Sequence, residues 1–495
     1  MKKRSINIFL IFVVMITVSC TKDWLEVKPK GTTLEDNYYQ NADEAFAGLI
    51  SVYDPLGTEW VNTYASKVGL LNSASDDCYA GGAAYGDQIS WEAWNSYTLE
   101  PAVGPQESFW GRNFTGVNRA NTLLSKLDDV PMNETLKARF RAEAKFLRAY
   151  YYFDLVRLFR NVPLFTSLLS PSEFFSAEQA SPEDVYTQIE KDLNEAIPDL
   201  PLSVPPSENG RVTTYAAKAL LGKVILFQNN ESRMAEAAAL FEEVNTAPYY
   251  ELLENYADIF RPDNKFNKES IFEITHTSVA IGYWDFPRPP AGEGNLLVQL
   301  CGPRAYAGPT YSAGWGFNPI IPDLVELLKG SNRYVGTVAN IDSLEEAGLA
   351  VYEKGYQNTG YFMQKFAPLK DFQNSGGGDA VLEWPNNYIE IRLADVYLMH
   401  AEALVRSGNA SEAQQWLDKV RERAGLPLVP ATLENIYHER RLELATEGHR
   451  FFDLVRTGKA AEALAFKGFV ANKHEILPIP LTELGNTKLK QNPNY

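Results

Sequence analysis

The sequence predicts a mostly α-helical protein in which helix pairs stack into a scaffold and loop-rich insertions carry the function. Three observations predict it. Residues 134–159 carry a wide apolar stripe at helical spacing. Two later stretches, 213–246 and 390–423, resemble each other as helix, polar break, helix. Between those two lies a long segment rich in glycine, proline and aromatic residues, where neither helix nor strand periodicity survives.

In "ETLKARFRAEAKFLRAYYYFDLVRLF" (134–159), Leu136, Phe140, Leu147, Tyr151, Leu155 and Leu158 recur at helical spacing, and Phe146, Tyr150, Phe153 and Val156 widen the stripe. A stripe that wide predicts a helix packed on more than one side, with Tyr150 to Tyr152 as core rather than a binding platform. Asn161 and Pro163 end it. Ser181 is an N-cap with Pro182 at the first helical position, opening a helix to about Ala196. In 390–423, Ala401, Leu404, Ala413 and Leu417 occupy the small and large positions of a tetratricopeptide repeat. Ala237 and Phe241 do the same in 213–246, across a longer loop. Such pairs cannot bury their faces alone, so they stack. The expected units are about 41–127, 134–196, 213–246 and 390–423, the first from segments 41–53 and 108–127 with a long insertion between them.

The start of the chain reads as a targeting segment. Lys2, Lys3 and Arg4 precede an apolar run from Ile6 to Val18, too short to span a bilayer as a helix. Ser19 then precedes Cys20, as in a bacterial lipoprotein signal, although Thr17 stands where that pattern usually has leucine. The expectation is a signal at 1–19, a lipidated Cys20, and one domain from 20 to 495. Removing 1–19, which holds three basic residues and no acid, takes the formal charge from −17 to −20. That acidic balance argues against nucleic acid as a partner. Cys78 and Cys301 are too few and too far apart for a zinc spacing; a disulfide and two buried thiols both stay open.

Two regions read as ligand loops, about 72–97 and 250–385. Within the second, residues 281–320 hold seven glycines, six prolines and seven aromatics. A long irregular stretch is usually functional or disordered, and this aromatic content argues against disorder. The first carries Asp76, Asp77, Tyr79, Tyr85, Trp91 and Trp94 around "AGGAAYG".

The strings "RAEAKFLRAYYYFDLVRLFRNVPLF", "NNYIEIRLADVYLMHAEALVRSG", "ERRLELATEGHRFFDLVRTGKA" and "HEILPIPLTELGNTKLKQNPNY" resemble, in this order, the SusD/RagB family of Bacteroidetes outer-membrane nutrient-binding lipoproteins. One departure is Arg160-Asn161, where that family often has glycine. The resemblance implies four tetratricopeptide-like units with loop insertions forming a ligand face. It also implies capture of oligosaccharide, or peptide in some members, for a SusC-like TonB-dependent outer-membrane transporter. It further implies lipidation at Cys20, with Lys22-Asp23 as a surface-export signal. No cofactor or metal is implied.

The family's ligand residues vary with the ligand, so the site must be read from residue chemistry. A sugar ring has an apolar C–H face and a polar edge, which tryptophan and tyrosine suit. Trp284, Tyr311 and Trp315, with Trp91 and Trp94, are the candidates for stacking, and Asp76 and Asp77 for hydrogen bonds to hydroxyls. His449 in "EGHRFF" reads as structural, His438-Glu439 is not a zinc-protease motif, and "SGGGD" (375–379) reads as a turn. A glycoside hydrolase would need two carboxylates set across a cleft, and none stand out as such a pair. A tetratricopeptide scaffold for protein partners would not need the aromatic loops.

Overall fold

The structure, a computed structural model, describes residues 38–57, 64–170, 173, 175–279, 293–374, 377–485 and 487–495. Cys20, Lys22, Asp23 and Trp284 lie outside them.

Eight helices form the scaffold: α1 (Ala42–Gly57), α2 (Gln106–Lys126), α3 (Glu134–Phe159), α4 (Pro182–Ala196), α5 (Thr214–Phe227), α6 (Met234–Asn245), α7 (Leu393–Arg406) and α8 (Ala410–Arg423). Each packs on the next along the chain, as stacked helix pairs do. Local chemistry sets the boundaries. Asn133, Ser181 and Thr213 each accept a backbone N–H from the first turn of α3, α4 and α5. Helix α3 ends at Arg160, which holds φ at 65°. That left-handed value favours glycine, which explains why glycine would be expected there.

Small residues set how closely the pairs approach. A Cβ on Gly116 of α2 would overlap the Tyr151 ring of α3, and one on Gly222 of α5 would lie 2.6 Å from the Phe241 ring of α6. Ala237, Phe241, Ala401, Ala413 and Leu417 are all fully buried. Tyr151 donates its hydroxyl to Val52 O at 2.6 Å and Tyr152 to Phe165 O at 3.0 Å, so the tyrosine triplet is core. Two further helices, α9 (Leu433–Glu443) and α10 (Arg450–Arg456), follow, and α9 packs against α7 and α8.

Two insertions interrupt the scaffold. The first, between α1 and α2, holds short helices at Lys67–Ala74 and Ile89–Asn95. The second, between α6 and α7, holds strands β1 (Ser270–Ile274), β2 (Val338–Asn340), β3 (Tyr361–Met363) and β4 (Tyr388–Arg392). Strand β1 pairs antiparallel with β4, Ser270 opposite Arg392 and Ile274 opposite Tyr388, which closes this insertion at its root. Strand β2 pairs with β3 over a small apolar cluster of its own that includes Tyr306, Tyr311, Ile341, Tyr352 and Phe362. Cys78 and Cys301 are buried free thiols. Among the described residues, no helix is long and apolar enough to cross a membrane.

Candidate functional site

Backbone hydrogen bonds join the two insertions into one surface. Bridges form between Cys78 and Ile320 and between Gly81 and Phe317. Gly82 N–H donates to Gly316 O and Tyr356 N–H to Gly82 O, both at 2.9 Å. Three loops, around 79–87, 302–317 and 351–358, therefore share one framework. Its backbone is strained. Ala305, Asn318 and Gln357 have φ between 47° and 53°, alongside left-handed Gly81, Gly82, Gly86 and Gly316. Left-handed non-glycine residues are uncommon, and their concentration marks a surface whose shape is over-determined.

The rings this framework presents are Trp315, Tyr64, Tyr85 and Tyr356. Trp315 is half-buried and meets Tyr64 edge-on, centroids 5.5 Å apart at 89°. Tyr85 is 75% exposed and meets Tyr356 at 5.9 Å and 75°. Polar groups sit beside them. Arg304 reaches Glu353 at 3.3 Å and Trp315 O at 3.5 Å. The Glu92 carboxyl lies beside Asn95 and Tyr356, and partial burial raises it above its ordinary pKa. Asp87 accepts the Ala83 N–H at 2.7 Å, and Gln357 accepts the Gly81 N–H at 3.3 Å. The surface thus offers ring faces and edges flanked by donors and acceptors, on a rigid base.

Of the residues singled out from the sequence, Trp315 lies on this face. Trp91 and Trp94 do not. Both project from the short helix Ile89–Asn95 into the core at 0% exposure, leaving no ring face open to a ligand. Trp91 packs on Phe317 at 5.2 Å, donates to Tyr64 O at 3.0 Å, and fills the space a Cβ on Gly69 would need. Trp94 sits between Phe109 and Phe451. Their burial is instead what supports the loop from beneath. Tyr311 is buried in the small apolar cluster, 5.6 Å from Tyr306, and its hydroxyl donates to Gln364 at 2.7 Å. Burial pushes that hydroxyl's pKa up to about 12.

Asp76 and Asp77 face a different place, a charged cleft of about 830 Å³ between the first insertion and helices α9 and α10 for Asp76, and the buried interior behind it for Asp77. Arg450 grips Asp76 through two hydrogen bonds at 2.7 and 2.9 Å, and Arg441 adds an ion pair at 3.0 Å. Burial would raise the Asp76 pKa, but the Arg450 and Arg441 guanidinia outweigh it and hold it below the ordinary value. Asp77 is fully buried, 3.5 Å from Arg441, and burial raises its pKa. Both carboxylates anchor the root of the 79–87 loop to the C-terminal helices.

Tyr64, Tyr85, Tyr356, Arg304 and Glu353 complete the face. A signal for the last three exists in "VYEKGYQNTGY" (351–361), whose tyrosines and glycines repeat the composition of the other ligand loops, and in Arg304 beside the Gly-Pro turn.

The segment most recognisable in the sequence is closed to ligand. Glu439, Glu443 and Glu447 follow one another at helical-turn spacing through α9 and just past its end, all buried. Glu443 takes Arg333 at 2.7 Å, Arg392 at 2.6 Å and Arg423; Glu447 takes Arg392 at 2.8 Å and Lys365 at 2.7 Å; Glu439 pairs with Arg333 and Arg421. His449 is buried, and desolvation pushes its pKa down to about 4.

Residues 343–495 match the profile of the SusD family, and residues 23–226 match a second profile described as starch-binding, associating with outer membrane. A solved laminarin-binding SusD-like protein is 47% identical, superposes with a TM-score of 0.87, and is covered over 92% of this chain and 100% of its own. A surface glycan-binding protein of Bacteroides thetaiotaomicron, solved with laminarihexaose, is 28% identical with a TM-score of 0.85, over 91% of this chain and 99% of that one. A SusD-like protein of Formosa agariphila is 26% identical over 98% of this chain and 97% of its own length. With its stacked helix pairs, its two loop insertions and a relative this similar over nearly its whole length, the chain belongs to the SusD family.

Proposed function

We propose that this protein is a non-catalytic receptor that holds a β-1,3-linked gluco-oligosaccharide on the aromatic face around Trp315. The observation that carries the ligand class is the 47% identical laminarin-binding relative, reinforced by the relative solved with laminarihexaose. Ring geometry supports it. A β-1,4-glucan is a flat ribbon and suits coplanar rings, whereas a β-1,3-glucan curves. Here two edge-on pairs, Trp315 with Tyr64 and Tyr85 with Tyr356, form no single coplanar platform. The sequence adds Trp284 as a further contact. Two acids of the face already have partners: Glu353 has Arg304 and Asp87 has the Ala83 N–H. Such commitments favour binding over hydrolysis, which needs a pair of carboxylates free to act across the scissile bond.

The reading extends to the membrane. Cys20 carries the lipid anchor on the outer membrane, facing outward, and a SusC-like TonB-dependent transporter takes the captured oligosaccharide, since a lipid tether alone cannot move ligand across. The outer-membrane association in the matched family description and the lipoprotein-like start support this part.

Calorimetry with laminarihexaose, cellohexaose and maltohexaose tests the ligand class. Laminarihexaose should bind tightest, and prolonged incubation should release no new reducing ends. Preferential binding of cellohexaose or maltohexaose would overturn the linkage assignment, and product formation would overturn the non-catalytic one. Release of Cys20→Ala from membranes and copurification of a large barrel protein in mild detergent test the anchor and the transporter.

A further inference from the structure

A second pocket opens where the scaffold meets the start of the second insertion, and it shares no residue with the aromatic face. It has a volume of about 190 Å³ and lies between the turn leading into α5, the turn after α6, and the segment entering β1. That is room for about six waters at liquid density, the size of one pyranose ring.

Its walls are aromatic. Tyr249 is 41% exposed and canted against Tyr215 at 5.7 Å, while Tyr250 meets the same ring edge-on at 5.9 Å. Phe266 is half-buried and held at φ 52° by its N–H donating to Glu273 at 2.9 Å. Gly210, at φ 91°, brings the backbone so close to β1 that a Cβ would lie 2.5 Å from Thr275 Oγ1. The pocket is therefore framed by the fold and not by a loose loop.

Charge chemistry narrows the occupant. Lys268 at the rim is paired with Glu251 at 2.7 Å. Arg211 is held by Glu208 at 2.7 Å and by Glu143. Glu273 accepts from Asn387 at 2.7 Å as well as from Phe266. Each lining charge is already compensated, so nothing here calls for an ionic ligand. The uncommitted groups are the exposed side-chain amide of Asn209, the Ser203 hydroxyl and the open face of Tyr249. A flat apolar face beside neutral donors and acceptors is complementary to a neutral sugar ring.

We propose that this pocket is a second carbohydrate subsite, taking one neutral hexopyranose unit of a glycan whose main grip is the aromatic face. The inference rests on the glycan-binding reading above. A polysaccharide engaging both sites gains effective concentration at the second, whereas a short oligosaccharide is read mainly by the first.

Affinity electrophoresis in laminarin and calorimetry with laminarihexaose, on the full chain, test it. The variants are Trp315→Ala, the pair Tyr249→Ala with Asn209→Ala, and all three together. The pair should melt like wild type, weaken retention by polymeric laminarin by roughly tenfold, and leave the dominant laminarihexaose isotherm in place. Trp315→Ala, which leaves the other rings of the face in place, should weaken retention by polymeric laminarin, and the triple variant should weaken it further by about the same factor as the pair does in wild type. Retention of the Tyr249/Asn209 variant equal to wild type, or retention of the triple variant equal to Trp315→Ala, overturns the second subsite alone. Wild type that binds neither laminarin nor laminarihexaose overturns the ligand reading, and the subsite with it.

Discussion

From Glu439 to Glu447 each glutamate is bound by arginine or lysine, whereas across the aromatic face Tyr85 stands three-quarters in solvent and, among the described residues, Glu353 meets only Arg304 and Asp87 only the Ala83 N–H. Both regions are dense in polar and aromatic groups. In the first, each charge is buried and depends on partners from four distant segments: Glu269, Arg333, Arg392 and Arg423 all meet at or beside Glu443. A buried charge left unpaired is costly, so no member of such a set can change alone. In the second, the backbone is over-determined but the ring tips are not. The shape of the face is held by bridges such as Gly82 to Gly316, while the side chains displayed on it can vary without disturbing what lies beneath. The difference teaches that one string can identify a fold while saying nothing of the ligand.

The largest effect expected from this contrast is at Glu443. Burial pushes its carboxyl up, but Arg423, Arg333 and Arg392 together hold it well below the usual range. Glu443→Ala leaves those guanidinia facing one another in the core, and should cost about 3–5 kcal/mol of unfolding free energy. Urea denaturation measures that loss, and glycan affinity of the protein still folded should match wild type. A loss under about 1 kcal/mol, or a parallel loss of affinity, would break the comparison.

Acid should act on the buried interior before it acts on the face. His276 and His449 are fully enclosed, and desolvation, aided by Lys265 for the first and Lys223 for the second, lowers each pKa to about 4. The unfolded chain takes up a proton at each near pH 6.5, while the folded chain refuses it until about pH 4. The stability is therefore intact above pH 6.5 and falls as pH drops toward 4, by on the order of 3 kcal/mol per histidine. The five histidines of the chain are all outside loops 79–87, 302–317 and 351–358, so laminarihexaose affinity should change less than stability as pH drops from 8 to 5. Thermal melts and calorimetry over that range give both curves, and an affinity that falls in step with the melting temperature would remove the distinction.

The scaffold was legible because its signals are local. The stripe in 134–159 matches α3 from Glu134 to Phe159, and Ser181-Pro182 opens α4, since periodicity and capping need only neighbouring residues. The directions of the loop side chains were not. Trp91 and Trp94 stand in a Gly- and Tyr-rich stretch like Trp315, yet they turn inward because Phe317 and Phe451, more than 200 residues away, complete their pockets. Asp76 resembles a ligand group in sequence, and its partner Arg450 is 374 residues distant. Tyr356 went unnoticed because its place on the face is set by its backbone bond to Gly82, which no local pattern encodes.

The smallest effect discriminates best between the two regions, because it compares like with like. Trp315 is half-buried, touches Tyr64 edge-on, and backs onto the loop through its own main chain, whose N–H donates to Gln299 O at 2.9 Å. That bond survives replacement of the side chain. Trp315→Ala should therefore leave the loop in place and cost the fold little, while removing a ring that contributes about 1–1.5 kcal/mol to a stacked contact, or roughly tenfold in affinity. Trp416 of α8 is the matched control: it is buried against Tyr397 and His400, so Trp416→Ala should lower the melting temperature and leave binding unchanged. Calorimetry with laminarihexaose, paired with thermal melts, reads both. If Trp315→Ala binds normally and melts early, Trp315 supports the face as Trp91 does, and the sugar must lie against Tyr85 and Tyr356 instead.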